Sequence, residues 1–470
     1  MSLFLDTVRQ EILLGDGAMG TMLLQTGLPA GESPELWMLA NPEKVRSIHQ
    51  AYLEAGSRVL QTNTFGANRL KLQEYQAAHL VKEINITAAR LVREVADNKA
   101  FVAGIVGPTG HFPAPLGEIP WLELVDVFRE QVQALEEGGV DFIFLETFSD
   151  LGEIRAALYA AKQYTKLPAA CSLTYSKGRT LTGTTPEIAA IVLSAMGADL
   201  LGANCSTGPE ELLEVMLEYR RNTSLPLLVE PNAGIPELVD GKAVFRATPE
   251  YLAGFVEDFR AAGVNLIGAC CGSTPEHIRA MGRVISANSA LTDLKFKSDA
   301  PEHLTRLASR SKAVSIGSGE LPRLIGERIN PTARKAIAEA YKTSNYEMIV
   351  QEGITQAEAG ADLLDVNTGV AGLDESILLP QAVQKLQMAL DIPLVLDCTN
   401  PQALERGLQE YQGKALINSV NGEAKSLEAI LPLAKKYGAA VLGLTLDENG
   451  IPEKAEDRLA IAHRIVQKAE

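Results

Sequence analysis

The chain is poor in aromatic residues, with 2 Trp, and it carries only 5 Cys and 6 His among 470 residues. Sparse cysteines in odd number argue against a disulfide framework and for a reducing compartment, the cytoplasm. Positive charge is also short. The 43 Lys and Arg are outnumbered by 59 Asp and Glu, a net charge of −16. A phosphate backbone calls for a dense basic surface, so nucleic acid is not an expected partner. No apolar run approaches the roughly 18 residues that a membrane span needs. The first residues, MSLFLDTVRQEILLGDG, lack the basic start, apolar stretch and small-residue cleavage site of a secretory signal. What remains is 46% hydrophobic and 22% charged, the balance of a soluble globular protein. The length favours two or three domains.

Short apolar, β-branched runs alternate with helical patterns, the signature of parallel βα units. Eight such runs lie at 11–16, 58–63, 101–107, 141–147, 169–174, 199–205, 227–232 and 265–271. They predict an α/β fold beginning with a (β/α)8 TIM barrel over residues 1–290. Four helix starts, TTPE (184–187), STGPE (206–210), ATPE (247–250) and STPE (273–276), place a Ser or Thr cap near a proline and an early glutamate. Residues 291–320 show no clear strand and read as an interdomain linker with some helix. Five further strands, at 324–330, 362–367, 393–398, 414–421 and 440–447, fall in a second domain over 321–470. Each ends in polar residues, which predicts a second, incomplete (β/α) barrel; an open doubly wound sheet is the alternative. An open parallel sheet leaves an exposed edge, so the chain is expected to be a fragment of a longer one.

Cys205 ends the run ADLLGANC, and Cys270 and Cys271 end VNLIGACC. The active-site mouth of a parallel barrel is formed by the C-terminal ends of its strands. Strands six, seven and eight are neighbours, so Cys205, Asn232 and the Cys270–Cys271 pair should converge there. A single cysteine is ordinarily a buried thiol. Three at the tops of adjacent strands read instead as a zinc site with three protein ligands and an open, catalytic position. Asn232 could fill that position until substrate arrives. None of the histidines ends a strand, so the site is sulfur-rich, and only His111 falls near the mouth. Cys171 and Cys398 read as structural. Three thiolates make zinc a weak Lewis acid but a good holder of a substrate thiol, which coordination deprotonates and leaves nucleophilic.

The motifs DGAMGT (16–21), QTNTFGAN (61–68), FLETF (144–148), GANC (202–205), EPNAG (230–234) and GACCG (268–272) resemble those of the homocysteine S-methyltransferase family over about 290 residues. That resemblance implies Cys205, Cys270 and Cys271 as zinc ligands with Asn232 as the resting fourth. It implies Glu146 beside the cysteines in catalysis. It also implies Asp16, Gly17, Thr62, Glu146 and Asn232 around homocysteine, with carboxylates at the ammonium end.

In the second half, GERINPT (326–332), DLLDVNTG (362–369), LDCTN (396–400) and INSVNGE (417–423) bring Glu327, Asn330, Asp365, Asn367, Asp397 and Asn418 to strand ends. Alternating Asp and Asn suit the donor and acceptor edge of a pterin, although alone they would read as helix and turn caps. The segment resembles the pterin-binding methyltransferase domains of cobalamin-dependent methionine synthases. The resemblance implies 5-methyltetrahydrofolate as methyl donor, with Asp397 and Asn418 holding the pterin. No D-x-H-x-x-G sequence occurs, so cobalamin would be carried by a partner corrinoid protein or a further domain. The expected reaction is attack of a zinc-bound homocysteine thiolate on a cobalamin-borne methyl group, giving methionine. The alternatives are another donor, such as S-methylmethionine or betaine, another small thiol as acceptor, or a non-catalytic zinc- and folate-binding scaffold for a corrinoid protein.

Overall fold

Strands that read as near-continuous apolar runs become strands buried on both faces, as a parallel sheet covered by helices requires. The computed structural model describes residues 2–234, 237–239, 242–287, 304–332 and 334–469. They group into two units, Met1–Pro113 with Leu122–Ala300, and Ala114–Trp121 with Pro301–Glu470.

The first unit holds eight parallel strands: β1 (Leu13–Leu14), β2 (Val59–Gln61), β3 (Phe101–Val106), β4 (Phe142–Phe148), β5 (Ala169–Leu173), β6 (Leu200–Asn204), β7 (Leu227–Glu230) and β8 (Val264–Ile267). Their order, β2-β3-β4-β5-β6-β7-β8-β1, follows the chain with β1 returning beside β8. The Arg58 N–H donates to Leu14 O at 2.8 Å and joins the two end strands, completing the barrel circuit. The predicted caps at Thr185 and Thr248 accept from the N–H groups of Ile188 and Tyr251. In STGPE the expected Ser or Thr cap is absent: Gly208 takes the N-cap position ahead of the helix Pro209–Asn222.

The N-terminal helix Leu3–Val8 turns Phe4 and Val8 into the bottom of this barrel. The Phe4 ring stacks on Phe142 with centroids 3.9 Å apart and meets Phe101 edge-on. The Asn265 side chain donates to Val8 O and accepts from Leu227 N–H, tying the plug to β7 and β8. With its lower end filled, the barrel can admit a ligand only from the C-terminal face.

The second unit has five parallel strands, β9 (Ile325–Ile329), β10 (Leu363–Asn367), β11 (Leu394–Asp397), β12 (Leu416–Asn421) and β13 (Ala440–Leu444), in strictly sequential order. A doubly wound sheet reverses its order at a switch point; this one never does, so it is part of a barrel wall. The outer strands β9 and β13 are largely exposed.

Part of the expected linker is structured. Thr305–Ala308 and Ala313–Ile316 pair as an antiparallel hairpin where no strand was expected. Leu307 and Val314 pack with Leu363, Val395 and Leu416 at the base of the sheet. The buried Tyr411 hydroxyl fixes the hairpin there, donating to Ala308 O and accepting from Leu394 N–H. Mixed charge concealed this hairpin because only one face of it is apolar. Residues 291–303 of the expected linker lie outside the described residues, as does His303. Among the described residues no helix is long and apolar enough to cross a membrane.

Candidate functional site

At the mouth of the first barrel the Sγ atoms of Cys205, Cys270 and Cys271 lie within 4.8 Å of one another. Cys205 and Cys271 are 3.8 Å apart, Cys270 and Cys271 4.0 Å. Tetrahedral zinc with bonds of about 2.3 Å would set its sulfurs about 3.8 Å apart. The Asn232 side chain is buried beside Cys205, and its Oδ1 has no hydrogen-bond partner. A buried acceptor without a donor calls for a ligand. Three thiols and a free amide oxygen are a donor set that fits zinc.

The cysteines stand beyond the regular strands, held by backbone bonds that continue the ladder. Cys205 N–H donates to Glu230 O, Cys270 N–H to Pro231 O, and Ala233 N–H to Cys271 O. Cys205 and Ser206 both adopt left-handed backbone, φ 60° and 59°, at a cost of about 1–2 kcal/mol each. Gly272, at φ 81°, abuts the Phe245 ring so closely that an added Cβ would lie 2.2 Å from it.

Hydrogen bonds from the Cys270 and Cys271 thiols hold Cys205 down to about 3, and that same bonding pushes Cys270 and Cys271 up, the latter to about 12. Three simultaneous thiolates therefore require a positive ion among them.

Three carboxylates face the same mouth. Burial raises Asp16 to about 8 and lifts Glu230 well above the usual carboxylate range. Glu146 is pushed up to about 8, first by burial and then by the nearby Cys205 and Asp16 charges. Asp16 Oδ2 accepts the Gln61 N–H at 2.9 Å, whereas its Oδ1 is buried without a partner. The Gln61 side chain donates to Glu230 Oε1. An ammonium group would supply the missing donor and the missing positive charge together.

The remaining positions differ in their surroundings. The Thr62 hydroxyl accepts from Ile105 N–H and shares a hydrogen bond with Thr64, so it is committed to the barrel wall. Gly17 is packed against Ser273 and Tyr52, each within 3.0 Å of a notional Cβ. His111 is exposed. Cys171 is fully buried within β5, and the buried Cys398 thiol donates to Glu375.

In the second unit, the pairing register sets Asn367 opposite Asp397 and Asp397 opposite Asn418, a polar row across β10, β11 and β12. Asn367 Nδ2 donates to Asp397 Oδ2 at 2.8 Å, and Asn418 Nδ2 to Asp365 Oδ1 at 3.1 Å. Burial raises Asp365 to about 6 despite the Asn418 bond. Asn330 stands at the edge, its Oδ1 accepting Thr332 N–H in a local turn, and Glu327 is exposed on β9.

The model of the homocysteine S-methyltransferase family matches residues 13–285. The chain belongs to that family. A second family, the pterin binding enzymes, matches residues 326–469. The methionine synthases of Mycobacterium tuberculosis and Mycobacterium leprae are 30% and 29% identical across 98% of this chain. The chain spans about 40% of the length of these relatives. Among solved structures, the homocysteine methyltransferase MmuM of Escherichia coli in its metallated form is 26% identical, with a TM-score of 0.51 over 60% of this chain and 98% of that one.

The sequence reading assigned no role to Gln61, Glu230 or Asn204. Glu230 was visible as a polar strand end, and Asn204 as an amide inside an apolar run. Buried polar groups in such places are normally bonded to something specific. Which partner they find depends on neighbouring strands.

Proposed function

We propose that this chain methylates homocysteine to methionine, with a methyl group that originates on 5-methyltetrahydrofolate and is delivered by cobalamin. The observation that carries the reading is the meeting of the Cys205, Cys270 and Cys271 sulfurs beside the unpartnered Asn232 Oδ1. Zinc held by these residues would supply deprotonation of the substrate thiol at neutral pH.

The chain's own residues provide orientation. Asp16 Oδ1 and Glu146 receive the ammonium end, and Gln61 braces Asp16 through its N–H and Glu230 through its amide. The substrate's charge then offsets the desolvation that raises these carboxylates. Fixing both ends of a small substrate converts a bimolecular attack into an oriented one. In the second unit, Asp365, Asn367, Asp397 and Asn418 present alternating donors and acceptors to a pterin edge, with Glu327 and Asn330 at its margin. Cobalamin belongs to a corrinoid partner or a further domain, and the free thiols support a reducing compartment, the cytoplasm.

X-ray absorption at the zinc edge tests the first step: three sulfur neighbours should become four when homocysteine is added. An unchanged shell at saturating homocysteine would overturn it. Methionine formation with free methylcobalamin, compared with S-methylmethionine and betaine, identifies the donor. No methionine from any donor would leave only a binding scaffold.

A further inference from the structure

The residue before Cys205 has a side chain that reaches two strands away. Asn204 is fully buried at the end of β6. Its Oδ1 accepts the Thr147 N–H at 2.9 Å, its Nδ2 donates to Thr147 Oγ1 at 2.7 Å, and the Ser172 hydroxyl on the intervening β5 donates to Oδ1 at 2.6 Å. One amide therefore grips residue 147 at two points while β5 braces it.

Thr147 needs that grip. The pairing of β4 with β5 shifts register between Leu145 and Phe148, a bulge occupied by Glu146 and Thr147. Thr147 has φ 62°, a conformation that a β-branched residue adopts only under constraint. Bulges re-aim side chains near active sites, and here the re-aimed side chain is Glu146. On the other side, Cys205 begins a turn in which Thr207 N–H donates to Cys205 O at 2.7 Å. The two functional neighbours of this network, Glu146 and Cys205, are each one residue from a bonded atom.

We propose that Asn204 is a positioning residue that sets the spacing between the carboxylate for the ammonium end of homocysteine and the sulfur site for its thiol end. Homocysteine as substrate, argued above, is the premise. The role predicts selectivity: losing the amide should harm a substrate that must span both points, and spare a thiol that touches only the metal.

The test uses the full chain loaded with zinc, with Asn204→Ala, Thr147→Val and Thr147→Ser beside wild type. Calorimetric titration with homocysteine and with 2-mercaptoethanol gives two affinities, and metal analysis gives zinc per chain. Asn204→Ala loses all three of its hydrogen bonds, and release of the two to Thr147 should weaken homocysteine binding about 20-fold, while its affinity for 2-mercaptoethanol and its zinc content stay near wild type. Thr147→Val, which loses only the Oγ1 contact, should fall between, and Thr147→Ser should match wild type. Should Asn204→Ala fail to fold, Thr147→Val decides by the same ratio. Equal losses for both thiols, or no loss for homocysteine, would overturn the assignment. A wild-type protein that takes up neither zinc nor homocysteine would instead remove the functional reading itself, and this inference with it.

Discussion

Replacing Asp16 by Asn separates the stability of the barrel mouth from its function. Asp16 is 1% exposed, one oxygen is bonded to the Gln61 N–H, the other has no partner, and burial lifts the group to about 8. In the unfolded chain it titrates near 3.9. An acid with a raised folded-state value binds its proton more tightly when folded. Its contribution to stability is whole below about pH 4 and is lost as pH climbs toward about 8. The slope in that window is about 1.4 kcal/mol per pH unit. Between pH 5 and pH 7, wild type should therefore lose about 3 kcal/mol relative to Asp16→Asn, which carries no such titration. For a domain of this size that is a relative swing of about 5 °C in melting temperature. The measurement is thermal unfolding of the reduced, zinc-free proteins at pH 5, 6 and 7, following the first unit's transition. Function should move the opposite way. Loss of a charge-assisted hydrogen bond to an ammonium, about 1.5–3 kcal/mol, weakens homocysteine binding by roughly 10- to 150-fold. Parallel pH profiles for the two proteins would refute the buried, raised carboxylate. Unchanged homocysteine affinity would refute its contact with substrate.

Alanine at Cys205, Cys270 or Cys271 should remove most bound zinc and nearly all methyl transfer, and elemental analysis finding one zinc per chain in any of them would contradict the shared site. Asp397→Ala should weaken 5-methyltetrahydrofolate binding about 10-fold or more with zinc content unchanged, since the polar row and the thiols belong to separate units; equal titration curves would refute the role. Tyr411→Phe strands the buried Leu394 N–H, while Ala308 O keeps its bond from Lys414 N–H, and it should lower the second unit's stability by about 1–3 kcal/mol, seen as an earlier melt of that unit alone. An unshifted melt would mean the hairpin is not held by the phenol.

The barrel was legible because a strand covered on both faces must be apolar along its whole length, and stretches such as FVAGIV and FIFLET say so without context. The strand ends were less legible. The run NLIGACC reads as one strand, yet β8 stops at Ile267 and Gly268–Cys271 is loop. Local composition does not separate a strand from the extended segment that prolongs it. Thr62 and Gln61 illustrate the same limit: one residue of register exchanges the side chain facing the mouth with the side chain facing the wall. Here the wall took the hydroxyl and the mouth took the amide.

What the sequence determined alone was the set of parallel strands and the chemistry on offer, because hydrophobic period and residue type are local properties. Three cysteines at strand tops, alternating Asp and Asn further along, and thirteen parallel strands could all be read from it. Only the tertiary structure decided that the second sheet keeps sequential order, that a hairpin closes its base, and that Asn204 clamps Thr147 fifty-seven residues earlier. Those outcomes depend on contacts between segments remote in the chain, and a side chain's duty at a strand end is set by whichever neighbour folding brings within reach of its hydrogen bonds.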